Sequence, residues 1–269
     1  MRPLTLASWN VNSVRLRAPQ IARFADMARP DVICLQEIKC LEDQFPHKIF
    51  ADMGYPHAAV TGQKGMHGVA VVSRLPIEAL DPHPLCPKDE ARQQRVKIEG
   101  VEILNLYIPA GGDEPDPDTN PRFRHKLDFL GVLETYLAGR KDEPGARVLT
   151  GDLNIAPLEH DVWSHKQLLK VISHTPVETE ALERLRKAGG WTDAARALIP
   201  EPEKLFTWWS YRNRDWRKSN RGRRLDHIWV NGDLEAAALS GGRAGFKVWE
   251  DCRDWPQPSD HAPVTLELR

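Results

Sequence analysis

The feature that most constrains this chain is a series of short β-type apolar runs, several of which meet a carboxylate, amide or imidazole at one end. The runs are Leu4–Trp9, Asp31–Gln36, Gly68–Ser73, Arg95–Ile98, Val101–Ile108, Arg147–Thr150, Leu225–Val230 and Ala262–Leu268. Gly, Pro, Asn or Asp bounds several of them, as strand ends usually require. Helical spacing appears between them: Pro19–Ala28 places Ile21, Phe24, Ala25 and Ala28 on one face. Phe123–Leu137 repeats the pattern with Leu127, Leu130, Leu133 and Leu137 before Gly139, and Thr179–Ala188 ends at Gly189-Gly190. The runs 95–98 and 101–108 are separated only by Glu99-Gly100 and read as a tight hairpin. Helices and strands are interleaved without strict alternation, which favours two mixed sheets packed together with helices outside over an open parallel sheet.

A chain of 269 residues can bury one large core. The acidic, proline-rich stretch Ala110–Arg122 reads as a surface loop, not a boundary, because the polar motifs fall on both sides of it. One domain over residues 1–269 is therefore expected.

The polar residues concentrate at strand ends. Asn10 and Asn12 follow LTLASW, Glu37 follows DVICLQ, Tyr107 closes VEILNLY, and Asp152 and Asn154 follow RVLTG. Asp226 opens DHIWV, and Asp260-His261 precede APVTLEL. An isolated Asp or Asn there is more often a turn former or helix cap than a ligand. That reading weakens when five strand ends all bring such groups, because strand ends feed the crevices where α/β proteins bind ligands. Hard oxygen donors suit Mg²⁺ or Mn²⁺, whereas zinc favours Cys and His.

Composition adds limits. Net charge is −1, so any attraction to a polyanion must come from a local basic face. Such a face is encoded at Trp208–Arg224, where Arg212, Arg214, Arg217, Lys218, Arg221, Arg223 and Arg224 oppose a single acid, Asp215. Trp208, Trp209, Tyr211 and Trp216 are interleaved with them, a pattern that suits phosphate contact and base stacking. For Trp209 and Trp216, burial in the core competes evenly with that reading. Cys34, Cys40, Cys86 and Cys252 show no zinc-finger spacing and read as reduced thiols. The amino-terminal MRPLTLASWN lacks a signal-peptide apolar stretch and no apolar run approaches a membrane span. A cytoplasmic location with no membrane partner is expected.

The segments WNVNSVR (9–15), LQEIK (35–39), GQKGMHGVAVVS (62–73), NLYIPAGG (105–112), GDLNIAP (151–157), RGRRLDHIWV (221–230) and SDHAPV (259–264) together resemble the exonuclease III family of abasic-site endonucleases. The matches follow the family's order and span nearly the whole chain. The resemblance implies a four-layer α/β sandwich of the DNase I-like type, two packed mixed sheets flanked by helices, with the active site at one end of the sheets. It implies Glu37 as principal metal ligand with Asn10 and Asp260 close by or ligating. Asp152 and Asn154 would hold the attacking water or a second metal, and His261, oriented by Asp226, would contact the scissile phosphate. Tyr107 would bind the phosphate or assist the leaving group. Mg²⁺ is the implied cofactor, with Mn²⁺ able to substitute; one or two ions, and Asp152 as base or as acid, stay open.

The implied partner is double-stranded DNA carrying abasic sites or 3′ ends, cut by a monomer. The implied cut is 5′ to the abasic site and leaves a 3′-hydroxyl, with 3′→5′ exonuclease and end-cleaning activity beside it. Trp208 matches the aromatic that lines the sugar pocket, and Arg15, Arg17, Lys64, Arg212, Arg221 and Arg223 are candidates for phosphate contact. Three positions depart from the pattern: Ile38 for a common Thr, Ala110 for an Asn or Gln, and His174 for an aromatic. If the loop holding His174 borders the sugar pocket, preference could shift toward 3′ ends. Two other readings are a phosphodiesterase of the same fold acting on lipid headgroups, and a DNA-binding regulator without catalysis. The GQKG and WWSYR segments oppose the first, and the full polar set opposes the second.

Overall fold

The computed structural model describes residues 2–81, 83–213 and 215–269. Its strands, numbered along the chain, are β1 (Leu4–Asn10), β2 (Val32–Gln36), β3 (His57–Thr61), β4 (Val69–Ser73), β5 (Glu78–Ala79), β6 (Gln93–Ile98) and β7 (Val101–Tyr107). There follow β8 (Arg147–Asp152), β9 (Thr192–Asp193), β10 (Trp208–Trp209), β11 (Gly222–Arg223), β12 (Asp226–Val230), β13 (Phe246–Val248) and β14 (Val264–Leu268). Two six-stranded mixed sheets result, ordered β13-β14-β1-β2-β4-β3 and β5-β6-β7-β8-β12-β9, with β10 and β11 forming a small separate ribbon. The β6–β7 hairpin turns on Glu99 and Gly100, both at positive φ (49° and 82°), the two-residue geometry that matches strand twist.

The sheets pack face to face through Leu4, Leu6, Val32, Cys34 and Val71 on one side and Val96, Ile98, Ile103, Val148 and Ile228 on the other. Each outer face carries helices. Trp9, Ile33, Leu35 and Val72 meet Ile21 and Phe24 of the helix Ala18–Ala28. Leu104, Leu106, Leu149 and Trp229 meet Phe129, Leu133 and Leu137 of Pro121–Gly139 and Leu182 and Leu185 of Pro176–Ala188. The expected four-layer sandwich is the observed one.

Helix Pro121–Gly139 begins earlier than its apolar spacing suggests. Asn120 accepts a hydrogen bond from Arg122 N and Pro121 occupies the first turn, so the loop assigned to 110–122 gives up its last two residues.

Period-2 alternation explains why the site forms at one end. On the faces between the sheets, β1 presents Leu4, Leu6, Ser8 and Asn10; β2 presents Val32, Cys34 and Gln36; β7 presents Val101, Ile103, Asn105 and Tyr107. β8 adds Val148, Thr150 and Asp152, and β12, antiparallel to it, adds Val230, Ile228 and Asp226. Every series runs from apolar to polar in the same direction, because β12 and β14 enter the sheets where β1, β2, β7 and β8 leave them. One layer below the end, the Gln36 amide donates to Ser8 Oγ (3.1 Å) and to Asn105 Oδ1 (2.7 Å). The Asn105 amide in turn donates to the carbonyls of Leu35 and Ala70, each at 3.0 Å. This fully buried network locks the two sheets in register beneath the site.

Candidate active site

Asn10 leaves β1 with its amide between two carboxylates, 2.9 Å from Glu37 Oε1 and 2.9 Å from Asp152 Oδ2. Its side chain thus joins the first sheet to the second. Glu37 sits just beyond β2 at φ 50°, a left-handed conformation costly for a residue with a Cβ and retained where neighbours enforce it. Here Ser13 N and Val14 N bond the carbonyls of Glu37 and Ile38, holding the turn. Lys39 Nζ lies 2.9 Å from Glu37 Oε2, and the Tyr107 hydroxyl donates to Glu37 Oε1 at 2.9 Å. Burial opposes ionisation of Glu37, but Lys39 and the Asn10 and Tyr107 hydrogen bonds hold its carboxyl below the usual range. Burial, reinforced by the Glu37 and Asp152 carboxylates, keeps the Tyr107 phenol protonated well above its ordinary value.

The GDLN turn depends on Gly151. At φ 137° a Cβ there would lie 1.9 Å from the carbonyl oxygen of Leu106, so only glycine lets β8 pass β7 at this point. Asp152 follows, fully buried, and accepts from Asn154 N (2.9 Å), from the Asn154 amide (3.2 Å) and from Asn10. Asn154 takes φ 54° and anchors its amide on the carbonyl of Ile108. Burial pushes the Asp152 carboxyl up to about 7; His261 opposes that rise, and Asp226 and Glu37 add to it.

His261 completes the cluster. Its Nδ1 is 2.9 Å from Asp226 Oδ2 and its Nε2 is 3.6 Å from Asp152 Oδ2. Burial disfavours the charged ring, yet Asp226 and Asp152 outweigh it and raise the imidazolium to about 10. The ring is positioned by its own backbone: Trp9 Nε1 donates to the His261 carbonyl (3.0 Å), and Ser259 Oγ accepts from His261 N while donating to the Asn10 carbonyl. Thr207, which the sequence did not single out, donates to Asp226 Oδ2 at 2.6 Å and accepts from the Leu225 and Asp226 amides. Asp260 borders the cluster and accepts from Trp208 Nε1 at 2.9 Å.

The donor set fits a divalent cation. One ligand atom each from Asp152, Asp226 and His261 lies within 4.8 Å of the others; with the His261 ring held as imidazolium, the two carboxylates are the donors, and Asp226 Oδ1 is buried without a hydrogen-bond partner among the described residues. Burial first, and the Asp226 and Glu37 carboxylates second, disfavour a charged Asp152, and a bound cation would offset both. Glu37, the expected principal ligand, stands outside this triad and is joined to it through the Asn10 amide.

The basic stretch divides more sharply than its sequence suggests. Arg15, Lys64, Arg212 and Arg221 are exposed, and Arg221 stacks over Trp163 at 4.7 Å. Arg17 is not a free cation: its guanidinium is buried against the carbonyls of Asn12, Gln257 and Pro258 and the hydroxyl of Tyr211. Arg223 is half-committed, donating to Ile172 O and Ser173 Oγ while lying 5.2 Å over the Trp208 ring. Arg224 is wholly buried and paired with Asp161 and Asp193, and Arg217 pairs with Asp251 and Asp254.

Trp209 and Trp216 are core residues, their rings 4.9 Å apart. Arg214 lies outside the described residues. Trp208 remains half-buried against the cluster of Ala156, Val162, Leu168 and Leu225, and Trp163 packs on the same cluster, a second aromatic that the 158–167 loop did not reveal. His174 does not face a pocket surface: it is 2% exposed, held by the Ala156 carbonyl (2.6 Å) and by His165 (2.8 Å).

Among the described residues, no helix is long and apolar enough to cross a membrane. The Endonuclease/Exonuclease/phosphatase family model matches residues 7–261. Exodeoxyribonuclease III of Haemophilus influenzae is 31% identical, with 97% of this chain and 98% of that protein aligned. The solved 3′ phosphatase NExo from Neisseria, bound to a product DNA hairpin, superposes with a TM-score of 0.88 at 31% identity over 99% of both chains. An AP endonuclease from Archaeoglobus fulgidus superposes with a TM-score of 0.87 at 30% identity, over 97% of this chain and 98% of that one. With the DNase I-like sandwich and the carboxylate–amide–imidazole cluster, these likenesses show that the chain belongs to the Endonuclease/Exonuclease/phosphatase family, among its exonuclease III-type DNA-repair nucleases.

Proposed function

We propose that the chain hydrolyses the DNA backbone 5′ to abasic sites and removes nucleotides or blocking groups from 3′ ends, with Mg²⁺ as the resident ion. The observation that carries this reading is Asp152, poised between the amides of Asn10 and Asn154 and the imidazole of His261. The ion would be held by Glu37 and the carboxylates beside it. When bound, it shields phosphate charge and stabilises the departing oxygen.

The protein's own groups account for the remainder. Asp152 and Asn154 orient a water against phosphorus, and Asp152, with a carboxyl near neutrality, takes the proton. The water oxygen bonds to phosphorus, the P–O3′ bond breaks, and the 3′ oxygen leaves to become a hydroxyl by gaining a proton from solvent. The His261 imidazolium and the Tyr107 hydroxyl donate to phosphoryl oxygens, where charge builds in the transition state. Asp226 holds the ring in the required orientation, as the carboxylate does in hydrolase triads.

Trp208 and Trp163, half-buried against the same apolar cluster, would pack against a sugar without a base, and exposing such a sugar costs less than unstacking a normal nucleotide. Arg15, Lys64, Arg212 and Arg221 would line the phosphates. A location in the cytoplasm agrees with the four free, buried cysteines.

The test is an end-labelled duplex carrying one abasic analogue, incubated with Mg²⁺ and then with a chelator. Metal-dependent incision at the lesion supports the reading. Trimming at 3′ ends alone would remove the abasic-site activity from it, and no metal-dependent cleavage would overturn it.

A further inference from the structure

A second group of metal-binding side chains lies apart from the Asp152 cluster, against the outer edge of the second sheet. One ligand atom each from Cys86, Glu90 and His125 falls within 4.8 Å of the others. Cys86 Sγ is 3.7 Å from His125 Nε2, and His125 Nε2 is 3.3 Å from Glu90 Oε2. In a tetrahedral zinc site with ordinary bond lengths, sulfur–nitrogen and nitrogen–oxygen ligand edges are about 3.6 Å and about 3.4 Å. The observed spacings match both edges without rearrangement. His67 Nε2 approaches the same Glu90 oxygen at 3.7 Å and supplies a fourth donor after a small movement.

We propose that Cys86, Glu90 and His125 form a binding site for a borderline divalent cation of the zinc type, with His67 or water completing the coordination. Thiolate and imidazole donors set its chemistry apart from the oxygen-rich cluster at Asp152, which contains no sulfur. Several features meet what a genuine site needs. Cys86 and His125 are buried and Glu90 is half-buried, which shields the donor atoms from bulk water. Arg92 Nε, 2.5 Å from Glu90 Oε2, holds the carboxylate in place beside the two imidazoles. A cleft of about 340 Å³ lined by Leu85, Cys86, Glu90 and Ala91 gives entry from solvent.

The ion would fasten the loop carrying Cys86 and Glu90 to the helix carrying His125. The same loop continues into Arg92, whose guanidinium donates to the Tyr107 carbonyl at 3.2 Å and lies 4.9 Å over its ring. The site therefore adjoins the second sheet's contribution to the active site without sharing a ligand with it.

The experiment uses Co²⁺ as the probe, added to the full chain with excess Mg²⁺ to occupy the oxygen-rich cluster. Absorption is followed in the near-ultraviolet, where cobalt–thiolate charge transfer appears. The site predicts a saturable band at one equivalent, lost in Cys86→Ser, weakened at least about tenfold in affinity by His125→Ala, and displaced by Zn²⁺. Unchanged circular dichroism and unchanged Mg²⁺-dependent cleavage would confirm that both variants fold. Absence of the band in the wild-type chain, or an equal band in Cys86→Ser, would overturn the proposal.

Discussion

The Asn10 amide nitrogen stands 2.9 Å from Asp152 Oδ2, joining the last residue of β1 to the last residue of β8 across the gap between the two sheets. The same nitrogen reaches Glu37, so one neutral donor keeps the buried Asp152 and half-buried Glu37 carboxylates apart yet in register. Replacing Asn10 with Ala removes that donor and leaves the pair to repel. The expected result is a 10- to 100-fold loss in kcat/KM, from about 1.5–3 kcal/mol for a hydrogen bond to a charged group. Steady-state cleavage of a defined duplex measures it; a loss under threefold would show that Asn10 only fills space.

Asp226 holds His261 in orientation and, with Asp152, keeps it charged. The ring should therefore stay protonated through neutral pH in metal-free protein and lose its proton only as pH approaches about 10. In Asp226→Asn the same proton should leave at lower pH, and kcat should fall by about 10²- to 10⁴-fold. Histidine NMR titration of both proteins checks the first point and single-turnover cleavage the second. An unshifted His261 titration would contradict the pairing.

A stability prediction follows from Asp161, which is fully buried between Arg224 and Arg196. Burial alone would raise its carboxyl, but the two guanidiniums win and hold it below its ordinary value. The sign follows: its contribution is complete above the unfolded carboxyl near pH 4 and is lost as pH falls through the lower folded value. Asp161→Ala should cost about 3–5 kcal/mol at pH 7, because Arg196 loses its carboxylate partner and the buried Arg224 keeps only Asp193. Urea unfolding at pH 7 and at pH 3 should show the gap from wild type narrowing in acid. An equal gap at both would mean that charge is not the cause.

Arg221 and Arg17 should separate binding from folding. Arg221→Ala removes an exposed cation, so it should weaken DNA binding uniformly across sequences and reduce the salt-dependence slope by about 1. Arg17→Ala should instead lower the melting temperature, since its guanidinium satisfies carbonyls at Asn12, Gln257 and Pro258. Salt-titrated binding and thermal melts read the two; identical behaviour would erase the distinction.

Much of this architecture was legible because period-2 alternation ends in polar residues at the strand termini that converge, as at Ser8–Asn10 and Thr150–Asp152. The eight strands read from the sequence all exist, most within one or two residues of their expected limits. β3 escaped notice because His57–Thr61 is half-buried throughout and shows no alternation, and β13 is only three residues long. Pairing across the chain was not legible at all. Arg224 looks like its basic neighbours until Asp161 is brought to it from 63 residues away, and Thr207 acquires a role only when β10 is laid beside His261.

The proposed hydrolysis requires Asp152 to activate water rather than merely to fill the end of the sheets. The most direct measurement is single-turnover incision of an abasic duplex by Asp152→Asn, paired with its equilibrium binding to the same DNA. The expected incision rate is lowered by at least about 10³-fold with affinity changed only a few-fold. A rate near that of the wild type, with binding intact, would contradict it.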